Sequence, residues 1–183
     1  MCHAILQEPA FFRFLTQIDE ELAAATRLRG CRACEGALHV ANYPRKPRGC
    51  PVALREEYSR RLSFTCGRCE RRTTSASVRF AGRRVYLAVV WMLISPPGSA
   101  SARTLRDRLR IAPVTLKRWC SWWRETFPLT RFWQSGCERF MPPVRSAELP
   151  HSLLERFEAC TMTDRLVHAL RFIAPLSTRV GVR

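Results

Sequence analysis

From Phe11 onward apolar residues return every third or fourth position, at Phe11, Leu15, Ile18, Leu22 and Ala25, while Gln17, Asp19, Glu20 and Glu21 occupy the other faces. That period predicts an amphipathic helix over 9–29, closed by Gly30 as its C-cap. The same helix is a candidate for homodimer formation. Farther on the period shortens to two. Leu62 and Phe64 alternate with Ser63 and Thr65, and Val78 and Phe80 alternate with polar neighbours, so a strand is expected at each place, with Gly82 ending the second. Residues 53–60 fit a short turn of helix. Val85 to Ile94 is apolar on every side and reads as a buried helix of about fourteen residues. Its β-branched Val85, Val89 and Val90 leave a buried strand as the alternative. The run is well short of the roughly 20 residues that a bilayer-spanning helix needs.

Ser95-Pro-Pro-Gly-Ser-Ala100 is a breaker. Beyond it, residues 101–127 carry a helix-turn-helix pattern. Leu105 and Leu109 mark the buried face of a first helix, and Ile111 points inward at the turn. Pro113 suits the first position of a second helix, where its missing N–H costs nothing. Leu116, Trp119, Cys120, Trp123 and Phe127 then fall on one face. Thr115, Lys117, Arg118, Ser121, Trp122 and Arg124 fall on the others, and Pro128 stops the helix. Phe132, Trp133 and Phe140 form a packing flap before Met141-Pro-Pro143. Two more helices are expected at 149–159 and 162–173, the latter capped by Thr161 or Thr163, and the tail after Pro175 should fray.

Cysteine spacing adds a chemistry that hydropathy does not show. Cys31-Arg-Ala-Cys34 and Cys66-Gly-Arg-Cys69 are two C-x2-C pairs, the donor set of a tetrahedral Zn²⁺ site. The interval between them exceeds the roughly 15–20 residues common for such pairs, so an insertion must fill it. Gly36 and Gly67 are placed where positive φ would aim backbone amides at the sulfurs. Four thiolates leave no open position for water, which makes the site structural. Of the other cysteines, Cys120 is a core residue, Cys50 and His39 are spare ligand candidates, and Cys2, Cys137 and Cys160 are unassigned. The N-terminal stretch has no basic segment followed by an apolar core, so reduced thiols in a cytoplasmic, nucleoid-associated protein are expected.

The formal net charge of +16 favours a polyanion, nucleic acid first and an anionic membrane surface second. Between the Cys pairs, Tyr43-Pro-Arg-Lys-Pro-Arg48 is an extended basic arm, with Arg45, Lys46 and Arg48 available to a phosphate backbone. On the second helix of the pair, Thr115, Lys117, Arg118 and Ser121 suit base edges and phosphates, and Arg103 on the first suits the backbone. These residues predict binding to double-stranded DNA. The expected fold is α+β, mainly α. An N-terminal amphipathic helix (1–30) precedes a small β zinc ribbon with a basic insertion (31–80). An apolar helix plus helix-turn-helix (81–130) and a C-terminal helical extension (131–183) follow.

The order of parts resembles the N-terminal half of bacterial insertion-sequence transposases that carry a zinc ribbon. The matching pieces are the four cysteines, then Val78-Arg-Phe-Ala-Gly-Arg-Arg84, then Val85–Ile94, then Thr115-Leu-Lys-Arg-Trp119. The resemblance implies a DNA-targeting role in transposition of a mobile element. It also implies an RNase H-like domain with three carboxylates and two Mg²⁺, and here the chain departs. Glu138, Glu148, Glu155, Glu158 and Asp164 follow Phe127 without a strand series to carry them. No enzyme is expected, and a separate transposase or nuclease subunit would supply any strand chemistry. The other readings are a protein-docking zinc-ribbon subunit and an RNA-binding protein within a larger nucleoprotein complex.

Overall fold

In the computed structural model, residues 4–46, 48–81, 87–94 and 99–178 are described. The chain is α+β and mainly α, with two small antiparallel sheets among the described residues. Helix α1 (Pro9–Leu28) starts with proline at its first turn and ends at Gly30, φ 72°. Its buried stripe is Phe11, Phe12, Leu15, Ile18, Asp19, Ala23 and Thr26. Ala25, expected inside, is exposed, because the stripe follows 12-15-19-23-26 instead.

Strands β1 (Leu38–Val40) and β2 (Tyr43–Pro44) precede a single helical turn, α2 (Arg55–Tyr58), inside the predicted 53–60. Then come β3 (Arg60–Arg61), β4 (Ser63–Cys66) and β5 (Arg72–Thr74). One sheet has the order β1-β4-β5 and the other pairs β2 with β3. The register sets Leu38 opposite Cys66 and Tyr43 opposite Arg61.

The last ribbon strand is therefore β5 and not a strand at 78–80. The alternation of Val78 and Phe80 misled because Arg79 between them is also buried. Asp19 of α1 is the cause. It accepts from Ser77 Oγ (2.5 Å), the Val78 amide (2.7 Å) and Arg79 Nε (2.7 Å). The Arg79 guanidinium also donates to the Arg60 carbonyl at 2.9 Å and lies 5.0 Å from the Tyr58 ring centroid. Arg61 is buried beside this pair. It donates to the Ser75 carbonyl (2.6 Å) and to Ser177 Oγ (3.2 Å), which accepts from the Ser77 amide as well. Leu176 and Ser177 are buried, so these residues do not fray.

Residues 87–94 are all buried. Helix α3 (Ala88–Met92) is five residues long, shorter than the predicted helix. Leu87 before it is extended and bridges to Phe80, and Val85 and Gly82 lie outside the described residues. Helices α4 (Ala100–Leu109) and α5 (Pro113–Ser121) follow. Ser99 caps α4, its Oγ accepting from the Ala102 amide at 3.0 Å. Beyond α5 come a π turn at Trp122–Thr126, a 3-10 turn at Phe127–Leu129, and α6 (Arg131–Gln134). The helix predicted at 149–159 is reduced to α7 (His151–Leu154). Helix α8 (Met162–Ile173) matches its prediction, and Thr161 Oγ1 caps it by accepting from the Asp164 amide at 3.1 Å.

The main core joins α1, Tyr58, Val78, Phe80, α3, the α4–α5 pair and α8. A second and much smaller cluster holds Ala23, Cys31, Leu38, Phe64 and Cys66. Among the described residues no helix is long and apolar enough to cross a membrane.

Candidate metal centre and nucleic-acid face

The two Cys pairs build the same turn twice. In the first, the Cys31 amide donates to the Gly36 carbonyl (3.0 Å) and the Glu35 amide to the Cys31 carbonyl (2.7 Å). In the second, the Cys66 amide donates to the Arg71 carbonyl (3.1 Å) and the Glu70 amide to the Cys66 carbonyl (3.0 Å). The residue after each second cysteine is left-handed: Glu35 has φ 58° and Glu70 has φ 57°. Positive φ thus falls on glutamates and not on Gly36 or Gly67. Those glycines are needed for close approach. A Cβ on Gly36 would stand 2.9 Å from Arg68 Cβ and 3.0 Å from Cys66 Sγ, and one on Gly67 would stand 2.7 Å from His39 Nε2.

The turns aim amides at sulfur, Ala33 N at Cys31 Sγ (3.5 Å) and Arg68 N at Cys66 Sγ (3.3 Å). Across the pairs, Cys31 and Cys69 sulfurs are 3.6 Å apart and those of Cys34 and Cys66 are 3.4 Å apart. All four lie within 4.8 Å of one another and could hold a metal ion. Sulfurs about 2.3 Å from a tetrahedral centre would be separated by about 3.8 Å, so the donor set fits such an ion with little movement. The amides of Cys69 and Arg68 pull the Cys66 thiol down to about 6, and the Ala33 amide lowers Cys31. At Cys34 the Gly36 amide acts downward, but proton-holding contacts with Cys69 and Cys66 prevail and push the thiol up to about 12. His39 stands on β1, exposed and against Gly67, outside the sulfur group. Cys50 lies in the main core. Neither spare candidate joins the four.

The described residues of the basic arm are anchored at both ends. Tyr43 and Pro44 pair with β3, and the Arg45 amide donates to the Ser59 carbonyl at 2.6 Å. Arg45 is half-buried, and the guanidiniums of Arg45 and Arg72 lie 5.3 and 5.4 Å from the Tyr43 ring centroid. Lys46 and Arg48 are exposed. Pro47 lies outside the described residues. The Arg48 carbonyl accepts from the Leu87 amide at 3.2 Å. A Cβ on Gly49 (φ 95°) would meet Val90 Cγ2 at 2.7 Å and Leu109 at 3.7 Å. The arm therefore ends against α3 and α4, beside the helix-turn-helix.

Three residues, Arg110 to Ala112, link α4 to α5. Arg110 supplies the left-handed cap at φ 49°. Leu105, Ile111, Leu116, Trp119, Cys120, Trp123 and Phe127 are buried as predicted, and burial raises the Cys120 thiol. Lys117, Arg118 and Arg103 are exposed, and Thr115 and Ser121 are half-exposed. Trp122, expected outward, is half-buried and packs 4.4 Å from the Trp91 ring centroid. It also stands edge-on to Trp123, with 5.2 Å between ring centroids.

Sequence reasoning missed Asp19, Arg79 and Arg61. No local signal marked them, because Asp19 falls off the apolar period of the sequence and only the observed stripe through 12, 15, 19, 23 and 26 puts its carboxylate inside. A scan against family models finds no match to the chain, and searches of curated proteins and of solved structures find none either.

Proposed function

We propose that the protein binds duplex DNA without a catalytic site of its own, using α5 as the helix that enters the major groove. The observation that carries this reading is the division of α5. Leu116, Trp119 and Cys120 are committed to the core, and Lys117 and Arg118 remain exposed behind a three-residue turn. A helix so oriented offers its polar N-terminal half to base edges. Thr115, Lys117, Arg118 and Ser121 are the reading residues. Arg103 on α4 and Arg45, Lys46 and Arg48 of the arm approach phosphates, in a chain of formal net charge +16. Zn²⁺ is the ion that four thiolates favour, and with all four positions taken its role is structural. Cys31, Cys34, Cys66 and Cys69 would hold it. The order of ribbon, apolar helix and helix-turn-helix supports a place among transposase-like targeting modules of mobile elements. A partner subunit would then supply strand cleavage.

The test is fluorescence anisotropy on a selected duplex and a scrambled one, across a salt series. Arg118→Ala should cost roughly 1–3 kcal/mol on the selected duplex and relax base preference. Lys46→Ala should weaken both duplexes alike and lower the salt slope by about one. Unchanged affinity of Arg118→Ala on both duplexes refutes α5 as the reading helix. A protein-docking ribbon would bind no duplex at any salt.

A further inference from the structure

Helix α4 opens on a hydroxyl cap, Ser99, but α5 opens on an apolar edge. Its N-cap is Ala112, which makes no side-chain hydrogen bond, and Pro113 and Val114 follow. All three are exposed, and Val114 is 59% exposed. Lys117, Arg118 and Ser121 stand three, four and seven positions after Val114, so the four share one face of the helix. Leu116, Trp119 and Cys120 are buried on the other side. Val114 therefore cannot turn inward without drawing those three out of the core. A lone exposed valine is ordinary on a protein surface. This one leads the outward face of α5, at the end that a recognition helix brings to base edges.

The major groove presents polar groups at every base pair and one apolar group, the C5 methyl of thymine. We propose that Val114 is a specificity-determining residue that packs on the C5 methyl group of a thymine in the bound duplex. The cations of Lys117 and Arg118 beside it complement the surrounding phosphates and acceptor edges. The inference rests on the reading of α5 as the major-groove helix, and it adds a base preference that the polar residues of that face do not supply. Cytosine methylated at C5 carries the same group, so the test separates the two bases.

Uracil differs from thymine by that methyl alone. Each thymine of the selected duplex is replaced by uracil in turn, and affinity is read by fluorescence anisotropy. Replacement at one position should weaken binding about fourfold, the scale of one buried methyl group. Val114→Ser should bind the thymine and uracil duplexes equally at that position, and Val114→Ile should keep the preference. The cycle formed by the side chain and the methyl isolates their coupling, and far-UV circular dichroism reports whether each variant is folded. Equal affinity of the intact protein for thymine and uracil at every position overturns the inference and leaves duplex binding standing. A selected duplex without thymine does the same. A thymine preference that survives in folded Val114→Ser assigns the methyl to another residue and overturns it too. Tighter binding to C5-methylated cytosine, with no loss at any uracil, overturns thymine as the base read. Binding to no duplex overturns both readings.

Discussion

The ribbon and the helix-turn-helix are both small elements at the surface, and they are held by different means. Beneath the ribbon's four sulfurs the buried apolar side chains are Ala23, Leu38 and Phe64. Beneath α4 and α5 lie Trp91, Trp123, Phe127 and Trp133, part of an aromatic cluster with ring centroids 4.5–4.9 Å apart. So small a cluster as the ribbon's cannot offset the conformational entropy of ordering its two turns. A metal ion, which the four sulfurs could hold, would supply that order, whereas the helix-turn-helix draws on the main core. The Asp19–Arg79 network fastens the segment that follows β5 to α1.

The largest expected effect separates the two regions outright. Cys66→Ser, or a chelator, should abolish metal binding and unfold 31–40 and 62–74, because site formation and folding are coupled. Residues 50–58 and 78–80 should keep their protection, since Tyr58, Val78 and Phe80 belong to the main core. Hydrogen exchange with and without metal reads this directly. Loss of protection across α4 and α5 as well would show that the two regions are one cooperative unit. Equal metal content in Cys66→Ser and the parent protein would remove the site altogether.

Next in size is Asp19→Ala. Removing the carboxylate leaves Arg79 buried without its counter-charge, a change that costs about 3–5 kcal/mol in comparable pairs. Chemical denaturation should show that loss, with metal content unchanged in the folded protein. Replacing both partners, as Asp19→Leu with Arg79→Met, should recover part of it. If Asp19→Ala releases the metal at native conditions, the network belongs to the ribbon and not to the core.

Two glycines give a finer contrast. Gly49→Ala combines positive φ with a Cβ 2.7 Å from Val90 Cγ2. It should destabilise the core by roughly 1–2 kcal/mol from the left-handed backbone alone. Gly36→Ala presses a methyl group toward Cys66 Sγ and Arg68 Cβ, so metal affinity should fall while the global unfolding midpoint of the core holds. Calorimetry and a metal titration on both variants check the pair. The reverse pattern would invert the assignment of the two segments.

What the sequence disclosed follows the range of the interactions. The C-x2-C spacing, the α5 face and the capping of α1 and α8 are set within a few residues, and all are legible by period and composition. Cross-chain effects were not. Arg79 reads as an outward strand residue until Asp19, sixty positions earlier, is known to face it. The tail reads as frayed until Ser177 is found between Arg61 and Ser77. Glycine was assigned the positive φ of the knuckles on residue preference, yet Glu35 and Glu70 take it. The spacing of sulfurs left no room for a side chain at Gly36, and that steric need is visible only once the two turns face each other.

The smallest effect concerns a cysteine that the sequence leaves as a spare ligand candidate and that the structure places in the core. Cys50 lies between the two pairs along the chain, yet it packs with the main core, 6% exposed. Burial pushes its thiol up from 9.0 to about 11, against the opposing pull of Arg55 and Arg79. Between those two values the folded protein keeps a proton that the unfolded chain has lost, so stability falls as pH rises. The contribution is complete below pH 9.0 and is lost as pH climbs through about 11. Cys50→Ala should therefore flatten the decline of the thermal midpoint across that window and leave metal content unchanged. Acid would act on the other region, since protons would compete with a metal ion for the four thiolates. Metal loss in Cys50→Ala, or an alkaline decline as steep as in the parent, would return Cys50 to the ribbon. The division between a metal-held and a core-held half would then have to be redrawn around it.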